Sequence, residues 1–164
     1  MPFGYTGKIL HVNLTTGVIE IEEPGDAFYR TYLGGSALGL FYVLKHVPRG
    51  ADPLGPDNVL VLSVGVPTGV PVHGLSRSVA TARSPLTGMI GDAEAGGFWP
   101  AELKFAGFDA IVVRGQSPRP VYLWLHDGKA EVRDARHLWG MENLETMQQI
   151  EAHLLKRQYE GFIK

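Results

Sequence analysis

Two adjacent glycines in front of a predicted helix are the part of this sequence best suited to binding a ligand. Ala95, Gly96 and Gly97 precede an apparent helix over residues 98–105. Backbone N–H groups at such a turn attract anions, because they are unpaired donors at the positive end of the helix dipole. The missing side chains also let a large planar ligand approach the main chain. The pattern predicts a site for a phosphate-bearing ligand, although an ordinary turn and helix start explains the same glycines.

Arg77 is a candidate cation for the same site. It stands directly before a predicted strand over residues 78–83. Its planar guanidinium can donate several hydrogen bonds to a phosphate or to the polar edge of a heterocycle. A solvated arginine at a strand edge is an equally good explanation, and the spacing alone does not choose between the two.

Asp92 and Glu94 are candidate acid, base or cation-binding groups. They lie two residues apart, so both carboxylates share one face if the strand is regular. Such a pair can exchange protons with a substrate or bind a hard cation. Two acids on an exposed turn are the simpler interpretation. The six histidines show neither HxxxH nor HxH spacing, which gives a zinc site little support.

Short elements joined by glycine and proline turns must position these residues. Residues 8–22 predict a hairpin that turns at Thr15-Thr16-Gly17. Asp26 is expected to cap a short helix that ends at Leu33, and Gly34-Gly35 separates this helix from a second one.

The middle of the chain reads as a sheet and its end as an amphipathic helix over residues 142–156. Hairpins outnumber strand-helix-strand units, so the predicted fold class is α+β, with mainly antiparallel β-sheets and a few flanking helices. The remaining predicted strands cover residues 59–62, 78–83, 89–93, 110–114, 121–126 and 130–134.

Composition narrows the function classes. A chain of 164 residues with 45% hydrophobic content predicts one core and one domain. A net charge of -2 argues against binding to nucleic acid or to an acidic membrane. The absence of cysteine excludes disulfides, thiolate catalysis and an iron-sulfur cluster ligated by this chain. Neither GxGxxG nor GxxxxGK[ST] occurs, so binding of NAD or of a nucleoside triphosphate has no motif support. The sequence has no signal-peptide pattern and no long apolar run, which predicts a cytoplasmic location without membrane contact.

Several ordered motifs give the chain a resemblance to a known family. They include Val12-Asn13-Leu14-Thr15-Thr16-Gly17, Tyr32-Leu33-Gly34-Gly35, Ser84-Pro85-Leu86-Thr87-Gly88, the stretch 102–111 and His137-Leu138-Trp139-Gly140. As far as about residue 155, the sequence resembles the N-terminal portion of the tungsten-containing aldehyde ferredoxin oxidoreductase family. The expected organisation is a partial domain of this type over residues 1–157 and a tail of unknown role over residues 158–164.

The resemblance implies a fold, a cofactor and a reaction. It implies two β-sheets that form a base for a tungsten, or molybdenum, bis-pterin cofactor whose phosphates are joined by magnesium. It also implies oxidation of aldehydes to carboxylic acids, with electrons passing through a [4Fe-4S] cluster to ferredoxin. By motif, Arg77 corresponds to the pterin-contacting arginine, and Glu94, Ala95, Gly96 and Gly97 correspond to a turn that touches pterin and magnesium. The magnesium contact is expected through the main-chain carbonyl of Glu94.

Some departures from the family pattern limit what this chain does alone. Glu94 stands where an asparagine is usual, and Ser36 stands where an arginine is usual. The family's further domains, which carry the cluster, have no counterpart in the sequence. We therefore expect no catalytic residue here and no activity without the remaining domains or a larger subunit, and self-association stays open. The alternative is a non-catalytic binding or assembly module that keeps the fold and pairs with another polypeptide.

Overall fold

The computed structural model describes residues 4–162, and side chains as far as residue 154. It contains eight strands and four helices within these limits. The strands are β1 Ile9–Asn13, β2 Val18–Glu22, β3 Val59–Val64, β4 Arg77–Arg83, β5 Ile90–Gly96, β6 Ala110–Arg114, β7 Val121–His126 and β8 Lys129–Asp134. The helices are α1 Asp26–Tyr32, α2 Gly35–His46, α3 Trp99–Phe105 and α4 Asn143–Phe162.

Six strands form one sheet in the order β2-β1-β6-β3-β4-β5, and β7 and β8 form a separate two-stranded sheet. Within the large sheet, β1 and β6 are parallel and the other neighbouring strands are antiparallel. The predicted α+β class with a mainly antiparallel sheet is therefore confirmed. β2 and β5 are the edge strands of the large sheet, so each presents backbone groups that no neighbouring strand pairs.

Two local predictions were wrong. Asp26 was expected to cap α1, but Gly25 occupies the N-cap position without a side-chain hydrogen bond, and Asp26 is already helical. Its carboxylate instead lies in the first turn, where the helix dipole favours negative charge. β5 was expected to end at residue 93 but continues to Gly96, because its pairing with β4 extends to the Arg77 and Gly96 pair.

The structure divides into two compact units. The first comprises the chain up to residue 118 together with residues 123–132, and the second comprises residues 119–122 and the chain from residue 133. In the second unit, Asp134 accepts hydrogen bonds from the Arg136 side chain and backbone, which lower the pKa of that carboxyl to about 2. The domain boundary expected at residue 157 stays a prediction. Helix α4 continues across this position to Phe162, and residues 163–164 lie outside the described residues.

The first unit has an apolar cluster on each face of the large sheet, because alternate residues of a strand point to opposite faces. Ile9, Val61 and Val112 pack with Tyr42 of α2 on one face. The other face carries the cluster Leu10, Val12, Val64, Leu103, Phe108 and Ile111, against which side chains of the β7 and β8 hairpin pack. Burying each such side chain stabilises the fold by roughly 1.5–3 kcal/mol.

Helix α2 lies unusually close to β4, which brings its N-terminal end beside the candidate site. A Cβ at Gly39 would collide with Oγ1 of Thr81, a residue of β4 that is 1% exposed. Only glycine permits this distance, because any side chain would push the helix off the sheet. The close packing places Ser36, at the start of α2, within hydrogen-bond reach of Asp92 on β5.

Candidate functional site

Arg77 and Gly96 are directly opposite each other at the end of the β4 and β5 pair. The Arg77 guanidinium lies against the backbone of Gly96, so that a Cβ on Gly96 would collide with Nη1. The missing side chain therefore makes room for the arginine itself. The strand register brings together two residues that the sequence had indicated separately, because the residues between them form the two strands and the turn that joins them.

Glu94 forms an ion pair with Arg77 across the same two strands. Nε of Arg77 lies 3.2 Å from Oε1 of Glu94, and the two side chains are 57% and 61% exposed. An ion pair this exposed to water contributes only about 0–1 kcal/mol to stability. The guanidinium has further N–H groups besides Nε, so the contact with Glu94 occupies only part of its donor capacity.

A shallow pocket of about 400 Å³ opens beside this pair. Gly97 contributes to its wall with a φ of +109°, and a Cβ there would meet nothing within 4 Å. Ser76 donates a 2.5 Å hydrogen bond to the Gly97 carbonyl, which fixes the end of the strand. The pocket is lined by Gly74, Ser76, Arg77, Gly97, Phe98 and Ala101. None of these side chains is an acid or a base at neutral pH except the permanently charged arginine, so the pocket is chemically equipped to bind and orient rather than to transfer protons.

The expectation of an anion-binding helix start was wrong in its local structure. Glu94, Ala95 and Gly96 are strand residues, and α3 begins only at Trp99. This helix is seven residues long, so its dipole gives little attraction for an anion. The groups left to hold a ligand are the Arg77 side chain, the edge of β5 and the Gly97 backbone.

Asp92 and Glu94 do share one face of β5, as their spacing predicted. Asp92 is already occupied, since Oδ1 accepts a 2.7 Å hydrogen bond from the Thr81 hydroxyl and Oδ2 accepts one of 2.5 Å from Ser36. These bonds tie α2 to the edge strand and remove Asp92 from the list of free general bases. Across the part of the chain that the structure describes, His, Cys, Asp and Glu nowhere form a group of three able to hold a metal ion.

Comparison with protein families decides the assignment. The family model described as "Aldehyde ferredoxin oxidoreductase, N-terminal domain" matches residues 9–160 of the chain. This chain belongs to the aldehyde ferredoxin oxidoreductase family. The resemblance inferred from the motifs is thereby confirmed over nearly the whole chain.

Individual relatives agree with the family assignment. The chain is 45% identical over 144 residues to the tungsten-containing aldehyde ferredoxin oxidoreductase of Thermococcus kodakarensis, a match that covers 88% of this chain and 24% of the relative. It is 34% identical over 149 residues to the aliphatic sulfonate oxidoreductase, WOR-like subunit, of Pyrococcus furiosus, which covers 87% of this chain and 23% of that protein. The chain thus spans about a quarter of the length of these relatives.

A solved structure has the same fold. It is the active-site complex BamBC of benzoyl coenzyme A reductase in complex with 1,5-dienoyl-CoA, with a TM-score of 0.89 and 38% sequence identity. The match covers 94% of this chain and 24% of the solved chain. The fold is therefore shared with a protein whose name describes a different reaction.

Within the family signature at residues 102–111, two charged residues have a structural rather than a ligand-binding position. Lys104 Nζ lies 2.8 Å from Oδ1 of Asp109, with the side chains 9% and 2% exposed. Asp109 also accepts the backbone N–H groups of Thr6 and Gly7 at 3.0 and 2.8 Å, and Lys104 donates to the Gly65 carbonyl at 3.2 Å. Sequence reasoning missed this pair, although both residues lie within one matched motif.

A second polar cluster, formed by His11, Glu22 and Tyr42, joins β1, β2 and α2 of the same family fold. Glu22 Oε2 lies 2.7 Å from Nε2 of His11 and accepts a 2.8 Å hydrogen bond from the Tyr42 hydroxyl. Burial raises the pKa of Tyr42 above its usual range, and the hydrogen bond to Glu22 adds to this effect. Burial opposes ionisation of Glu22, but hydrogen bonds from Tyr42 and His11 outweigh it and lower the pKa of that carboxyl. Tyr42 is fully buried, so the cluster supports the fold.

The length and the apolar character of the helices show whether any of them could cross a membrane. Among the described residues, no helix combines the length and the apolar character that crossing a bilayer would require.

Proposed function

We propose that this chain supplies part of the binding surface for a tungsten or molybdenum bis-pterin cofactor in an oxidoreductase that converts aldehydes to carboxylic acids. The observation that carries the proposal is the contact between the Arg77 guanidinium and Gly96, next to the open space at Gly97. The names of the relatives, which are tungsten-containing aldehyde ferredoxin oxidoreductases, support the choice of metal and of reaction.

Each site residue has a defined task in this proposal. Arg77 donates hydrogen bonds to a phosphate or to the polar edge of the pterin, since its planar fork suits such acceptors. Gly96 and Gly97 keep the floor flat, so that a planar ring can lie against the main chain. Ala95 extends this floor with a small side chain, and the carbonyl of Glu94 binds the magnesium ion. β5 is an edge strand, which supports the last assignment because its outer backbone groups have no strand partner.

When bound, the cofactor supplies the redox centre of the reaction. The residues of this chain bind and orient it, because the pocket beside Arg77 contains no carboxylate or imidazole. The [4Fe-4S] cluster, the aldehyde pocket and the contact with ferredoxin belong, in this proposal, to further domains or to a larger subunit. The chain covers about 24% of its relatives, which supports that division of tasks.

Cofactor binding by the purified chain tests the proposal. The wild-type chain, Arg77→Ala and Arg30→Ala are mixed with pterin cofactor released from a tungsten enzyme, and bound cofactor is measured by fluorescence after its oxidation. Arg30 is an exposed arginine on α1 and controls for the loss of one positive charge. We expect Arg77→Ala to bind at least tenfold more weakly than the other two proteins. Equal binding by all three, or no binding by any, would contradict the assignment of the site.

A non-catalytic module that pairs with another polypeptide is the second candidate function. Two observations favour it. The Arg77 guanidinium is already engaged by Glu94, and Phe98 beside the pocket is 89% exposed, which suits contact with protein.

Metal analysis separates the two functions. Native material is isolated with any bound partner from cells supplied with both tungstate and molybdate, and its metal content is measured. Stoichiometric tungsten or molybdenum supports cofactor binding. A stable complex with neither metal supports the non-catalytic module.

A further inference from the structure

A second polar pocket lies at the end of the large sheet that is opposite to Arg77. β1 and β6 end there and β3 begins there, in a register that aligns Asn13, Arg114 and Val59 across three strands. The pocket has a volume of about 450 Å³, which lies within the range of small-ligand sites. Its polar lining consists of Asn13, Thr15, Thr16, His46, Asp57, Asn58 and Arg114.

Two nitrogen atoms of this lining are buried without a hydrogen-bond partner among the described residues. They are Nε of Arg114 and Nε2 of His46. Arg114 also forms no ion pair and no side-chain hydrogen bond within the described part of the chain, although it is a permanent cation. A buried donor left unpaired is costly, so native structures nearly always give such a group a partner. For Nε–H of Arg114 the missing partner is an acceptor, and Nε2 of His46 can donate to the same acceptor in the tautomer that carries the proton there.

The neighbouring polar groups are arranged as donors. Oδ1 of Asn13 accepts the N–H groups of Thr15 and Thr16 at 3.0 and 3.2 Å, which leaves its amide N–H₂ as the group free to bind a ligand. Oγ1 of Thr15 accepts the N–H of Gln116 at 3.0 Å, and Oγ1 of Thr16 accepts that of Val18 at 3.4 Å. Each hydroxyl therefore accepts from the backbone and keeps its own proton to donate elsewhere.

The more buried charge in this pocket is positive, and its negative charge is exposed. Asp57 provides the one carboxylate of the lining and is exposed, whereas the Arg114 guanidinium is half-buried. A guanidinium in partly desolvated surroundings, joined by hydroxyl and amide donors, matches an oxyanion in both charge and hydrogen-bond direction.

We propose that this pocket binds the oxyanion group, phosphate or carboxylate, of a small ligand, with Arg114 as the main contact and Asn13, Thr15, Thr16 and His46 as additional donors. The site is separate from the one at Arg77, because it lies on β1, β3 and β6 at the other end of the sheet from the Arg77 and Gly96 pair of β4 and β5. It therefore stands or falls independently of pterin binding.

Titration of the isotopically labelled full chain by NMR tests the proposal. Inorganic phosphate and acetate are added in separate experiments at constant ionic strength, and the backbone amide signals of Thr15, Thr16, Gly115 and Gln116 are followed. We expect a saturable shift of these signals. Saturation by phosphate alone assigns a phosphate group, saturation by acetate alone assigns a carboxylate, and saturation by both supports a general oxyanion site. Linear, unsaturable shifts with both anions would overturn it.

Variants show whether the pocket itself is responsible. Arg114→Gln is expected to weaken binding at least tenfold, whereas Arg30→Gln, which removes the same charge from an exposed position on α1, leaves the affinity within twofold. If the spectrum shows that Arg114→Gln does not fold, Thr16→Val decides instead, because Thr16 is exposed and its hydroxyl makes only one long backbone contact. Thr16→Val should weaken binding severalfold. Unchanged affinity in the folded variant would count against the proposal.

Discussion

Two ion pairs in the same unit consist of similar charges in opposite surroundings. The pair of Lys104 and Asp109 is 9% and 2% exposed and joins α3 to the chain before β6 and to residues near the N-terminus. The pair of Arg77 and Glu94 is 57% and 61% exposed and joins two strands that already pair along their length. The buried pair also forms hydrogen bonds with backbone groups of Thr6, Gly7 and Gly65. The exposed pair lies beside an open pocket.

The difference shows how burial divides charged residues between structure and binding. In the buried pair, each charge has already lost its water, so removing one partner leaves the other without compensation. In the exposed pair, water replaces either partner at little cost. Arg77 can therefore exchange Glu94 for a ligand, whereas Lys104 cannot leave Asp109. Both pairs lie in or near motifs of the family, and only the structure separates their roles.

The largest effect should come from breaking the buried pair. Lys104→Met leaves the Asp109 carboxylate with two backbone N–H groups and no cation, and we expect it to lower the free energy of unfolding by about 3–5 kcal/mol. Arg77→Met removes the same charge from the exposed pair and should cost about 0–1 kcal/mol. Urea unfolding followed by circular dichroism measures both values.

The double variant Lys104→Met with Asp109→Asn sharpens this result. It removes the uncompensated charge while the amide oxygen still accepts a backbone hydrogen bond, so part of the lost stability should return. Equal losses for Lys104→Met and Arg77→Met would contradict the distinction between the two pairs.

The next largest effect should separate the two glycines of the exposed site. Gly97 has a φ of +109°, which L-residues rarely adopt, so Gly97→Ala should cost roughly 1–2 kcal/mol despite the open space around it. Gly96 has no such constraint, and an added methyl group meets only the mobile end of Arg77. Gly96→Ala should therefore change stability by less than about 1 kcal/mol, near the gain expected from replacing a strand glycine. Thermal unfolding of both variants measures the difference. A larger loss of stability for Gly96→Ala than for Gly97→Ala would contradict this prediction.

The sequence was sufficient for most of the fold and for the neighbourhood of the site. Apolar patterns located the strands of the large sheet within a few residues, because most of these strands carry buried residues that mark them. β5 was the exception in length. Its residues are nearly all exposed, so no hydrophobic pattern marked the continuation from residue 93 to Gly96.

Contacts between distant residues could not be predicted from local pattern. The link from Asp109 to Thr6 spans 103 positions, and the link from Asp92 to Ser36 spans 56. These contacts depend on strand order, and a sequence without aligned relatives does not specify which strands become neighbours. The pairing of Arg77 with Glu94 was equally hidden, since it required knowing that β5 continues in register past residue 93.

A smaller effect should appear at the opposite strand ends, where burial also determines the behaviour of a charge. Burial, followed by the cations Arg114 and Lys45, lowers the pKa of His46 below its ordinary value of 6.5. Below pH 6.5 the unfolded chain takes up a proton at His46 that the folded chain does not, so stability falls as the pH decreases toward the lowered pKa. His46→Gln should make stability less dependent on pH in the range below 6.5.

Denaturant unfolding over that pH range provides the measurement. His73→Gln is the matched control, because His73 is exposed. It should retain the full pH dependence of the wild-type chain. The contribution of Glu22, whose pKa is also lowered, should appear only below its ordinary value of 4.5 and is therefore separated from that of His46. An identical slope in wild type and His46→Gln would show that the histidine does not carry the effect.

The smallest effect on stability, and the most direct test of the exposed pair, is Glu94→Asn. This substitution introduces the residue that the motif resemblance implies for this position and frees Arg77 Nε. Stability should change by no more than about 1 kcal/mol, because water solvates both partners. Cofactor binding should become tighter, since a negative charge beside the phosphates is removed while the main-chain carbonyl remains. Unfolding and cofactor titration on the same samples distinguish these two effects. Tighter binding without added stability means that the carboxylate competes with the ligand for Arg77, whereas unchanged binding means that the guanidinium belongs to the strand pair alone.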